Sequence, residues 1–111
     1  LDGIGGTVFT LGDNAYSSGT TDDFKNCYDP AWGRHKARTR PTPGNHDFFT
    51  ANGRPYFEYF GANAGPDRRG YYSYEAGAWH VIALNSNVDA GPRSAQLAWL
   101  RDDLTARLQA A

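Results

Sequence analysis

Two short glycine-led blocks, Gly12-Asp13-Asn14-Ala15-Tyr16 and Gly44-Asn45-His46-Asp47, constrain this chain more than any other part of it. In each, residues with oxygen or nitrogen ligand atoms follow a glycine at which the backbone can turn sharply. The first block follows the apolar run Val8-Phe9-Thr10-Leu11, so residues 7–11 read as a buried strand ending at Gly12. Two ligand-bearing turns on one sheet predict a metal site at the strand ends.

A chain of 111 residues forms at most one domain, with room for a single core. Three Trp, seven Tyr and six Phe exclude intrinsic disorder. Thirteen Gly and six Pro imply many tight turns, which places function on loops carried by a rigid scaffold. A net charge of −1 argues against a general nucleic-acid binder, and no membrane-spanning apolar segment is present. The single cysteine, Cys27, has no internal disulfide partner and reads as a small buried hydrophobe. The chain has no methionine, which fits a fragment or a processed chain.

Thr20 or Thr21 can cap a helix whose first turn carries Asp22 and Asp23, running to about Asp29 before Pro30 disturbs it, with a further turn through Trp32. The basic run Arg34, His35, Lys36, Arg38 and Arg40 reads as a solvated loop balanced by Asp22, Asp23 and Asp29. Arg40-Pro41-Thr42-Pro43 must be extended or turning, because each proline restricts the residue before it. Arg54 to Phe60 predicts a short aromatic helix stopped by Gly61, with Tyr56, Phe57, Tyr59 and Phe60 mostly in the core. Tyr71 to Glu75 and Trp79 to Asn85 predict a hairpin about Ala76-Gly77. Its second strand contains Val81-Ile82-Ala83-Leu84, a run suited to cover on both faces. Ser94 caps a last helix with Leu97, Leu100, Leu104 and Leu108 as one stripe and Asp103 with Arg107 as an ion pair. This order predicts an α/β or α+β layer structure. The chain ends on a helix with no strand for it to return to, and architectures of this kind usually continue.

The chemistry follows from the residue types. A carboxylate at a strand end can bridge two cations through separate oxygens, which makes Asp13 the candidate bridge. Tyr16, three residues on, favours a trivalent ion when it binds as a phenolate. Asn45 adds a neutral amide oxygen and His46 an imidazole. Mixed oxygen and nitrogen shells suit iron, manganese or zinc better than calcium. Either block alone is also an ordinary polar turn. The two together, in this order, are far less common by accident.

GDNAY and GNHD resemble the second and third motifs of the calcineurin-like metallophosphoesterases, and Tyr16 resembles the GDxxY pattern of the purple acid phosphatase branch. The segments TVFTLGDNAY, WGRHKARTRPTPGNHDFF, YYSYEAGAWHVIALNSN and QLAWLRDDL are similar to bacterial phosphatase-like members of that branch, so the resemblance covers nearly the whole chain. It implies an α/β fold, part of a two-sheet α/β/β/α sandwich, with residues 1–111 as the central portion of one metallophosphoesterase domain truncated at both ends. It implies a dinuclear site with Fe paired with Fe, Zn or Mn, and a metal-bound hydroxide attacking a phosphate ester. By position, Asp13 is the bridging ligand, Tyr16 the ligand of the ferric ion and Asn45 a ligand of the divalent one. His46 is the catalytic hydrogen-bond donor or general acid, and Asp47 orients the His46 loop. An extracytoplasmic setting goes with the same resemblance.

That family also needs an aspartate motif before residue 1, a histidine after residue 111 and a closing Gly-His-x-His. His35 and His80 match none of these positions, and His80 reads as a packing or surface residue. The expectation is therefore a chain that carries only part of the site and is inactive in isolation. The leading function is a phosphomonoesterase. Phosphodiester or nucleotide hydrolysis on the same core is the alternative within the superfamily. A degenerate module that binds a partner or glycan through its aromatic surface is the alternative outside enzymes.

Overall fold

The computed structural model describes residues 1–110 as a mixed α/β arrangement with two small sheets. Strand β1 (Val8–Phe9) pairs in parallel with β2 (Thr39–Arg40), Val8 opposite Thr39 and Phe9 opposite Arg40. Strands β3 (Tyr72–Ala76) and β4 (Trp79–Ala83) form an antiparallel hairpin in which Tyr74 faces Val81. Between β1 and β2 runs a helical crossover, the connection that parallel pairing requires.

The crossover begins where the sequence predicts. Thr20 accepts a hydrogen bond from the Asp23 amide, and the Asp23 carboxylate returns one from the Thr20 amide, a complete capping box. Helix α1 (Thr21–Asp23) widens into a π segment over Phe24–Tyr28 and continues as α2 (Asp29–Trp32). The Asp29 amide reaches back to the Phe24 carbonyl. Pro30 then sits in the first turn of α2, where its missing N–H costs nothing. The proline thus shifts the helical register rather than ending the helix.

Phe24 and Tyr28 from the π segment meet Tyr56, Phe57 and Phe60 of α3 (Arg54–Phe60) in the core, with Ala15 and Ala64 filling the gaps. Phe24 stacks on Tyr59 at 5.1 Å between centroids and meets Phe60 edge-on at 5.9 Å. Each such pair adds roughly 0.5–1.5 kcal/mol beyond burial. The hairpin joins this body through the Tyr72 hydroxyl, which donates to the Pro41 carbonyl at 2.6 Å, and through the Arg40 guanidinium over the Tyr74 ring at 5.0 Å.

Several expectations are corrected. The first strand is only two residues long and is not buried: Phe9 is 61% and Leu11 89% exposed. Among the described residues its strand partner is β2, and Phe9 borders an open cavity shared with Tyr74, Trp79 and Val81 of the hairpin. The face of β4 beyond Ala83 is likewise open, with Leu84 exposed. Cys27 is exposed, because the π segment turns Phe24 and Tyr28 inward and leaves Cys27 on the outer side. The basic run is not balanced by Asp22, Asp23 and Asp29. Arg34 and His35 meet Asp2, Arg38 donates to the Gly6 and Leu1 carbonyls, and Lys36 lies over the Tyr59 ring. Asp23 is taken by the cap and Asp29 accepts from Tyr59, so neither is free to serve those cations.

Helix α4 (Ala95–Ala110) is capped by Ser94, whose hydroxyl accepts from the Leu97 amide at 3.1 Å. Its leucine stripe is covered only at the start: Leu104 is 44% and Leu108 78% exposed. Asp103 does not pair with Arg107. It accepts from Ser73 and from His80 Nε2, both at 2.7 Å, while Arg107 approaches Glu75 at 3.6 Å. The hairpin outcompetes the helical neighbour because His80 also donates from Nδ1 to Glu75 at 2.7 Å. Carboxylates only accept, so the ring donates both bonds only as an imidazolium, the form this arrangement favours. No helix of the described residues is long and apolar enough to cross a membrane.

Two predictions follow from this packing. Phe24→Ala should lower the unfolding free energy by about 3–5 kcal/mol, against a change within about 0.5 kcal/mol for Leu108→Ala, read from urea midpoints. The second concerns pH. Hydrogen bonds to Asp103 and then Glu75 raise the His80 pKa, so its contribution is full below the ordinary histidine value and is lost as pH rises through the raised one. Burial opposes ionisation of Asp103, but the bonds from Ser73 and His80 outweigh it and lower its pKa. That contribution is present above the ordinary carboxylate value and is lost as pH falls through the lowered one. Amide protection in α4 should therefore be greatest between about pH 4 and 6.5, with the decline on the alkaline side absent from His80→Gln.

Candidate functional site

The site forms where the two glycine turns meet. After β1 the chain enters Gly12 and then Asp13 with φ of 48°, a left-handed conformation that aspartate tolerates better than most residues. After β2, Pro41 and Pro43 keep the chain extended, and the Thr42 amide donates to Thr10 Oγ1 at 3.1 Å, carrying the parallel register onward. The turns then touch. A Cβ on Gly44 would collide with the Asp13 carboxylate and amide, and one on Gly19 would lie 2.8 Å from Asp47 Cα and from the His46 carbonyl oxygen. Both positions need glycine for the close approach itself.

Asp47 holds the junction. Its side chain is completely buried. Oδ1 accepts from the Asn14 amide at 2.9 Å and the Ala15 amide at 3.1 Å. Oδ2 accepts from the Gly44 amide and from Asn14 Nδ2, both at 2.9 Å. Asn14 Nδ2 also donates to the Thr42 carbonyl at 2.9 Å. One carboxylate thus receives backbone donors from both blocks, so it fixes the first turn as firmly as its own. Its sequence-based role, orienting the His46 loop, covers only half of this arrangement.

Around that buried clamp the structure brings together three of the four expected site residues. Tyr16 Oη donates to Asp13 Oδ2 at 3.0 Å, and the His46 amide donates to Asp13 Oδ1 at 3.1 Å. The bond to Asp13 raises the Tyr16 pKa, with burial and the charges of Asp13 and Asp47 acting in the same direction. Tyr16 is therefore a neutral phenol here, 56% exposed. The Ser17 carbonyl can only accept, so His46 Nδ1, at 2.6 Å from it, carries a proton, and Nε2 takes part in no hydrogen bond found among the described residues. The His46 ring lies 4.7 Å from the Tyr16 ring and 4.8 Å from the Phe49 ring. Asn45 is exposed on the same turn, its carbonyl accepting from the Phe48 amide at 3.1 Å, and its side chain makes no contact with Asp13 or Tyr16 among the hydrogen bonds found.

No group of three or more His, Cys, Asp and Glu side chains able to hold a metal forms among the described residues. What does converge is a carboxylate and a phenol oxygen 3.0 Å apart, with an exposed amide on the adjoining turn. Hard oxygen donors in that proximity fit one side of the shell of a di- or trivalent cation. The set fits part of a metal site.

The loop between β4 and α4 forms a third element of the site, one that no spacing pattern in the sequence singles out. Asn87 Nδ2 donates to the Gly44 carbonyl at 3.2 Å and to Asn85 Oδ1 at 3.0 Å. Asn85 is fully buried and exchanges two bonds with Gln96 of α4, its amide to Oε1 at 2.7 Å and its carbonyl from Nε2 at 2.9 Å. The loop after β4 therefore braces the second turn. The sequence signal is compositional: two asparagines, Asn85 and Asn87, directly after an apolar run.

The clamp makes a prediction. Asp47→Asn replaces an acceptor oxygen with an N–H facing buried donors and should cost about 1–3 kcal/mol in thermal or urea unfolding. Asn45→Ala, at an exposed side chain, should change stability by no more than about 0.5 kcal/mol.

The chain is 35% identical over 88 residues to Purple acid phosphatase 23 of Arabidopsis thaliana, a match covering 68% of this chain. The chain spans 19% of the length of that relative. No family model and no solved structure matches. The chain thus has a partial, phosphatase-like relationship.

Proposed function

We propose that this chain is the central portion of a metal-dependent phosphoric ester hydrolase, a phosphomonoesterase of the purple acid phosphatase type. The observation that carries the proposal is the Asp13–Tyr16 oxygen pair at 3.0 Å, held beside the His46 turn by the buried Asp47 clamp. Similarity to a purple acid phosphatase over 68% of the chain supports the same reading. The uncovered apolar face at Phe9 and Leu11 and the half-covered leucine stripe of α4 support a larger two-sheet α/β/β/α domain around these elements. An extracytoplasmic setting belongs to the same reading.

In this reading Asp13, Tyr16 and Asn45 are the residues that would hold the metal ions, Asp13 as the shared carboxylate, Tyr16 toward a ferric ion and Asn45 toward a divalent one, iron, zinc or manganese. When bound, such ions would supply Lewis acidity and lower the pKa of water. The chain's own residues do the rest. Asp47 keeps the two turns at a fixed separation, so Asp13 and Asn45 stay in register. His46, its Nδ1 proton committed to Ser17, presents Nε2 toward the ester. As the oxygen of water bonds to phosphorus and the ester P–O bond breaks, the leaving oxygen keeps the electron pair and takes a proton from Nε2, while the second proton of that water passes to solvent, from which Nε2 regains one. Water supplies the hydroxyl of the phosphate product.

Ferric ion added to the chain should produce a visible phenolate-to-iron absorption, absent in Tyr16→Phe and weakened in Asp13→Asn. Asp47→Asn should weaken metal binding by about 10- to 100-fold, as expected for a residue that orients a ligand. Colour that persists unchanged in Tyr16→Phe contradicts the ligand assignment.

A further inference from the structure

The imidazole of His46 has aromatic rings on both sides, Tyr16 at 4.7 Å and Phe49 at 4.8 Å, tilted by 52° and 55°. The two neighbours differ in what they leave open. Tyr16 is tied by its hydroxyl to Asp13. Phe49 lies in the 3-10 turn that follows His46, its amide donating to the His46 carbonyl, and its ring is 60% exposed with nothing polar to offer. The core cluster takes in Phe48 and excludes Phe49. A large, mostly exposed apolar side chain is thus held beside an imidazole whose Nε2 makes no hydrogen bond among the described residues.

We propose that Phe49 is a specificity-determining residue that selects phosphate monoesters with an aromatic leaving group. The proposal rests on the phosphoester reading above and adds the substrate class. If Nε2 serves the ester oxygen, the group attached to that oxygen must lie past the imidazole edge, and Phe49 is the exposed apolar surface there. An aryl group can stack on or meet the Phe49 ring edge-on, whereas a methyl or glyceryl group covers little of it. Such an aromatic pair is worth about a 3- to 10-fold preference in binding.

The test is a nuclear magnetic resonance titration of the 111-residue chain with equimolar Zn²⁺ at pH 6, following the His46 imidazole. The probes are inorganic phosphate, methyl phosphate and phenyl phosphate. All three should shift His46, with phenyl phosphate binding about 3- to 10-fold tighter than methyl phosphate. That margin should vanish in Phe49→Leu and return in Phe49→Trp, while Phe24 and Tyr56 signals report an intact core in both. Equal binding of the two esters by the unaltered chain, or a margin that survives Phe49→Leu, overturns the specificity role. A His46 signal moved by Phe49→Leu in a chain with no aryl preference identifies Phe49 as a prop for the imidazole and also overturns it. Failure of inorganic phosphate itself to shift His46 is a different result, because that probe has no leaving group. It shows that His46 of this chain receives no phosphate, and that overturns the specificity role at its base.

Discussion

The buried carboxylate of Asp47 is the interaction on which the rest of this site depends. It gathers the amides of Asn14, Ala15 and Gly44 and the side-chain amide of Asn14 within about 3 Å. These donors come from two turns far apart in sequence, and the charge strengthens each bond. Without such an acceptor, four buried N–H groups would face one another across the junction. Because the turns are locked there, Asp13 can lie against Gly44 and receive both the Tyr16 hydroxyl and the His46 amide. Local turn chemistry, long-range packing and functional geometry therefore share one residue.

The supporting layers are arranged around this junction. Below it, Ala15 enters the aromatic cluster of Phe24, Tyr28, Tyr56, Phe57 and Phe60, which anchors the first turn to the core. To one side, Asn87 ties the Gly44 carbonyl to the Asn85–Gln96 pair and so to α4. Further out, His80 joins the hairpin to the same helix through Glu75 and Asp103. The second turn is thus held from its own element, from the first turn and from the last helix.

Much of this was legible in the sequence, for physical reasons that can be named. The capping box at Thr20 and Asp23, the aromatic helix Arg54–Phe60 and the Ser94 cap are local, so spacing reveals them. The two site blocks were legible because glycine followed by ligand-type residues is a compact pattern. Other features depended on partners distant in sequence. Pro30 fits because the preceding turn widens to a π segment, which no pattern around Pro30 encodes. Asp103 turns from Arg107 to His80 and Ser73 because the hairpin happens to dock there. Val8 to Leu11 reads as a buried strand from its apolarity, yet burial requires a covering layer, and Phe9 and Leu11 remain mostly exposed. The double duty of Asp47 was hidden for the same reason: its donors lie more than thirty positions earlier.

The most direct test of the account is to measure scalar coupling across the hydrogen bonds from the amide nitrogens of Asn14, Ala15 and Gly44 to the Asp47 carboxylate carbon. Detectable coupling at all three, with those amides among the slowest to exchange outside the helices, is the result the account predicts. No coupling at any of them, with exchange as fast as in the exposed turn at Gly77, would contradict it.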